Sequence, residues 1–136
     1  MLMKLLRLIW ASPCSLVGLV LGTAVVAFGG SARRVDRTVE FALFEADVPQ
    51  QSALARSPFV AITFGHVIVG LSHSGLAQVR GHELVHVQQY ELLGPLFLLA
   101  YPCSSLLAAL RGGCPYRDNH FEIQAYRDAE GAVFKR

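Results

Sequence analysis

The sequence predicts an α+β protein with a greasy N-terminal helix, a small antiparallel sheet of about three strands, and helices that carry a metal site. Three observations lead there. A long uncharged run opens the chain, short alternating segments rich in branched and aromatic residues follow, and His82-Glu83-Leu84-Val85-His86 lies inside an apolar helical pattern. The 136 residues suffice for one domain plus an anchor. Hydrophobic residues make up 53% of the chain and charged ones 16%, which is low against the ~25% of ordinary soluble domains. With a mean hydropathy of +0.42, the composition places the chain in or against a membrane. A net charge of +2 is too small, and too scattered along the chain, to argue for a nucleic-acid partner, and none is expected. The 3 cysteines, Cys14, Cys103 and Cys114, include no C-x-x-C pair, so a cysteine-rich metal site is not expected.

Leu8 to Gly30 lacks charge and is long enough to cross a bilayer of ~30 Å, with Lys4 and Arg7 before it and Arg33, Arg34 and Arg37 after it. Residues 1–32 are therefore read as a membrane anchor and 33–136 as the folded domain. A cleavable signal competes, because Gly30-Ser31-Ala32 offers small residues to a peptidase. Positive charge on both flanks leaves orientation open.

Thr38 to Phe44 alternates and reads as a strand. Asp47 to Pro58 is a polar loop with room for one helical turn. Phe59–Phe64 and Val67–Val69 flank Gly65-His66, which suits a two-residue turn with glycine first, hence a β-hairpin. His66 at its tip is expected to be an exposed turn residue, and His73 a solvated loop residue. Ser74 is the expected cap of the motif helix, and Gly94-Pro95 its stop.

Leu92 to Leu110 is uncharged and taken alone looks like a second span. One ion held by residues on both sides of it argues against a single crossing. The segment is expected to contact the membrane as a broken helix, with Pro102 at its bend or at the start of its second half. His120 to Glu130 reads as a short helix, capped by Asn119 or Asp118 and ended by Gly131, and Lys135-Arg136 as a frayed basic tail.

The chemistry centres on His82 and His86. Four residues apart on a helix, their imidazoles stack on one face within reach of a single cation. Glu83 projects beside that cation, placed to take a proton from attacking water. This is the H-E-x-x-H signature of zinc hydrolases. A catalytic zinc keeps three protein ligands. Position 92 is Leu, which excludes a third histidine six residues after His86. Glu122 is the best remaining candidate, with Asp118 and His120 as rivals.

The run H-E-L-V-H-V-Q-Q-Y with N-x-x-E-x-x-A after it resembles the gluzincins, zinc peptidases whose third ligand is a glutamate on a later helix. The likeness is to their very small members and to short bacterial membrane proteins carrying H-E-x-x-H, over about residues 59–126. The resemblance implies Zn2+ held by His82, His86 and Glu122, and Glu83 as general base. It also implies a peptide or protein substrate added as a strand to the hairpin edge, and a bacterial inner-membrane location, single-pass or monotopic with lipid as a partner. Tyr126 stands where many gluzincins carry an aspartate that supports a ligand histidine. His120, Tyr116, Tyr126 and Tyr90 are candidate donors to an oxyanion. The competing expectation is an inactive zinc-binding membrane protein with an interaction or regulatory role.

Overall fold

In the computed structural model, which describes residues 2–133, a mixed four-stranded sheet is held between helices. Helix α1 covers Leu2–Ala27, and strands β1 (Ser31–Val35), β2 (Thr38–Phe44), β3 (Ala61–Phe64) and β4 (Val67–Ser72) follow. Helices α2 (His73–Leu93), α3 (Phe97–Leu110) and α4 (His120–Val133) complete the fold. The expected tail Lys135-Arg136 lies outside the described residues.

The sheet corrects the expectation of about three antiparallel strands. Its order is β1-β2-β4-β3, with antiparallel hairpins β1–β2 and β3–β4 joined by a parallel β2–β4 seam. The added strand, β1, turns into β2 through Asp36, which adopts φ 50°. In the second hairpin Gly65 takes φ 60°, a region other side chains rarely enter, and so closes the loop between Phe64 and Val67.

One face of α1 is built of small residues: Ala11, Cys14, Gly18 and Gly22 are buried. That stripe lets the helix backbone lie close against the sheet. A Cβ at Gly18 would come within 2.6 Å of Val67 Cβ. The Ser15 hydroxyl accepts the His66 backbone N–H at 3.0 Å, and Ala11 and Cys14 pack with Tyr90 and Phe97. The opposite face of α1 presents Leu5, Leu8, Ile9, Leu16 and Val20 outward, as α3 does Leu99, Leu106 and Leu110. Two helical stretches, Leu2–Ala27 and His73–Leu110, are long and apolar enough to cross a membrane.

Several local expectations change. Ser72, not Ser74, caps α2 by accepting the Gly75 N–H at 3.0 Å. The break after α2 falls at Gly94–Leu96, a single 3-10 turn, and Pro102 lies within α3. Gly131 does not end α4, which runs to Val133. His66 is buried: its Nε2 bonds Glu91 Oε1 at 3.0 Å, and the same oxygen accepts Arg37 Nη1 at 2.9 Å. His73 is buried too, as the first residue of α2, with Nε2 3.0 Å from Ser31 Oγ. Both histidines hold separate parts of the chain together through polar contacts.

Candidate metal centre

The i, i+4 spacing on α2 brings the two motif imidazoles together as expected, with ring centroids 4.8 Å apart. Their Nε2 atoms lie 3.1 Å from each other. Glu122, in the first turn of α4, closes the triangle: Oε2 is 3.1 Å from His82 Nε2 and Oε1 is 3.4 Å from His86 Nε2. Ligand atoms at ~2.0–2.1 Å from a tetrahedral zinc are separated by about 3.3 Å; each imidazole has a different Glu122 oxygen at about that range, and one ligand atom from each residue lies within 4.8 Å of the others. Glu122 Oε2 is buried without a hydrogen-bond partner of good geometry, as a ligand oxygen aimed at a cation would be. The donor set therefore fits a metal, and His82, His86 and Glu122 together could hold one. The rivals stay outside it: Asp118 accepts the Cys114 N–H, and the His120 side chain is exposed.

Three contacts place Glu122. Asn119, fully buried, precedes α4 and accepts the Phe121 N–H at 2.9 Å, while its amide donates to Tyr101 O and Ser105 Oγ in α3. This is N-capping that also fixes the approach of one helix to another. Ala125, with no exposed surface, lets α4 close on α2. The Tyr101 phenol donates to Glu122 Oε1 at 2.6 Å. Burial pushes the Glu122 carboxyl upward, but the adjoining His82 and His86 imidazoles and the Tyr101 phenol outweigh it and hold the group well below the usual carboxylate range.

The support that an aspartate at position 126 would give a histidine comes from Gln89 instead. His86 Nδ1 lies 2.8 Å from Gln89 Oε1, and the Gln89 amide nitrogen donates to Phe121 O and Gln124 Oε1. Those two acceptors fix the orientation of the amide. Its oxygen takes the Nδ1 proton and leaves the His86 Nε2 lone pair for a cation. Burial lowers the tendency of His86 to protonate, yet the bonds to Glu122 and Gln89 raise its pKa overall. Tyr126 instead packs its ring on His82, with centroids 4.5 Å apart.

Glu83 is buried beside the triangle, and Oε2 accepts the Thr63 hydroxyl at 2.7 Å. Both glutamates and both histidines line a cavity of about 330 Å³ walled by Phe59, Ile62, Phe64, Phe97, Leu98 and Tyr101. Of the candidate oxyanion donors, Tyr116 and Tyr90 both line this cavity, and Tyr116 lies 3.5 Å, oxygen to oxygen, from Tyr126. Burial, the Tyr126 contact and the Glu122 charge raise the Tyr116 pKa, so its phenol stays protonated and able to donate. Tyr90 is a core residue packed on Phe97.

Sequence reasoning missed Tyr101, Gln89 and Thr63. Only Gln89 carried a local signal, being three residues beyond His86 on the same helix face.

The fold and the site define a small α+β protein with a two-histidine, one-glutamate group able to bind metal. Neither a protein-family model, nor a curated protein, nor a solved structure matches the chain.

Proposed function

We propose that the chain is a membrane-associated zinc metallopeptidase of the gluzincin kind. The single observation that carries this reading is the meeting of His82, His86 and Glu122 at one point, with the Glu83 carboxylate beside them in an apolar cavity. Two nitrogens and one carboxylate oxygen suit zinc, leaving a coordination position free for substrate. Zinc held there supplies a Lewis acid for the scissile carbonyl and the attacking water.

The remaining chemistry belongs to the chain. Glu83 accepts the proton of the water as its oxygen adds to the carbonyl carbon, then delivers that proton to the amine as the C–N bond breaks. Tyr116 is the phenol best placed to donate to the developing oxyanion. Strand β3 lies at the edge of the sheet beside the cavity, so an extended peptide can pair with it and turn side chains into the apolar wall.

Membrane association is supported by the outward leucines of α1 and α3. The small-residue face of α1 is occupied by the sheet, which favours immersion of its outer face alongside α3 over a free-standing span. The test is metal analysis of the purified chain, followed by cleavage of a peptide library. One zinc per chain, with cleavage abolished by Glu83→Gln while zinc is retained, is the expected result. Absence of zinc, or undiminished cleavage by Glu83→Gln, overturns the reading.

A further inference from the structure

Thr63 occupies a position that no spacing rule points to. The Gly65-His66 loop makes Phe64 and Val67 a hydrogen-bonded pair, and Ile62 and Val69 are the next one along the ladder. The Leu71 N–H bonded to Val60 O at 3.3 Å continues the same alternation. The backbone groups of Ala61 and Thr63 therefore point away from β4, toward the open edge of the sheet. The Thr63 side chain points elsewhere: it is buried against α2, where its hydroxyl donates to Glu83 Oε2.

We propose that Thr63 is the positioning residue of this site, joining peptide capture to the aim of the base. The inference rests on the peptidase reading. Its backbone meets an extended peptide at the edge of β3 while its hydroxyl holds one oxygen of Glu83. A glutamate carboxylate rotates in a broad, two-fold well about its last bond. A donor fixed on Oε2 sets its plane and leaves Oε1 as the oxygen that faces the cavity. Oε1 then takes the proton from water as the C–O bond forms and gives it to the leaving nitrogen as the C–N bond breaks, and Thr63 keeps its own proton throughout. A peptide strand that pairs with Thr63 stiffens the backbone from which the hydroxyl is held, so the base is best ordered when substrate is present.

The alternative is a bond that only satisfies two buried polar groups and ties β3 to α2. Thr63→Val keeps the shape and removes the donor, Thr63→Ser keeps the donor, and Thr63→Ala serves if the valine chain does not fold. In the zinc-loaded protein, Thr63→Val should lower kcat about 10–100-fold, the usual range for groups that orient a metal site. KM and zinc content should be unchanged, and Thr63→Ser should restore turnover. In chelated protein, Thr63→Val should lower the melting temperature when Glu83 is present but not in a Glu83→Leu background, a coupling that reads the bond without turnover. Wild-type turnover that Thr63→Val leaves intact, or additive melting shifts, removes this inference while the peptidase reading stands. A zinc-loaded wild type that cleaves no peptide removes both.

Discussion

Tyr101 donates to Glu122 at 2.6 Å, so the carboxylate proposed as third ligand is anchored from α3, the helix whose other side carries exposed leucines. Tyr101→Phe removes that anchor. Metal affinity should fall about 10–100-fold, as when other groups that orient a ligand are lost. Competition against a chromophoric chelator measures it, and an unchanged affinity would show that Asn119 and helix packing place Glu122 unaided.

Each ligand should matter more than its support. His82→Ala and Glu122→Ala each leave two donors where three are needed, and should lose stoichiometric zinc on dialysis. Gln89→Leu should keep zinc at a lower affinity, because His86 loses the acceptor that fixes its tautomer. Metal analysis after equilibrium dialysis ranks the three, and equal retention by all would contradict the assigned roles.

Acidity should act differently on the chelated and the metal-loaded protein. The Glu122 pKa is lowered from 4.5 in the folded state, so its contribution to stability is present above that value and is lost as pH falls. The His86 pKa is raised from 6.5, so its contribution is complete below that value and is lost as pH rises through the folded pKa. Chelated protein should therefore be most stable between about pH 4.5 and 6.5 as far as this pair is concerned. Zinc requires neutral imidazoles, so metal should move the optimum upward. Melting curves across pH, with and without zinc, test both halves, and a shared optimum would refute them.

Glu40 is only 1% exposed and is held by Arg80 through two hydrogen bonds, at 2.7 and 3.0 Å. This clamp ties β2 to α2 two residues before the motif begins. Arg80→Ala leaves a buried carboxylate without its partner, which typically costs ~3–5 kcal/mol. Denaturant titration should show that loss, and a change below about 1 kcal/mol would mean water reaches Glu40.

Gly18→Leu should unseat α1, since even a Cβ meets Val67 at 2.6 Å. Overpacking costs ~1–3 kcal/mol where neighbours can shift. Two sheet residues, Val67 and Phe64, close the space here. A lower melting temperature in detergent is expected, and an unaltered one would mean that α1 lies off the sheet in solution.

The parts of this protein legible in the sequence are those encoded by neighbours in the chain. His82 and His86 are brought together by helical pitch alone, and the Gly65 hairpin by a turn that needs φ above zero. Glu122 was recoverable because few acids follow the motif and a small residue comes three positions later. β1 was hidden because its burial pattern has three exposed positions in a row and no alternation. The parallel seam was hidden because it matches Val39 to Val67 and Phe41 to Val69, a register set by packing between two hairpins. His66 and His73 were misplaced for a related reason: Glu91, Arg37 and Ser31, which hold them, come from other elements. Tyr101 and Thr63 reach the site the same way, each from a separate piece of the fold.

The seat of α1 has a consequence for synthesis on the ribosome. The chain is made from its N-terminus, so α1 emerges before Phe41 and Val67, the side chains that its glycines rest upon, have been translated. For that interval the uncharged stretch from Leu8 onward has nothing of its own chain to lean on. Its own fold covers it only once the second hairpin is complete.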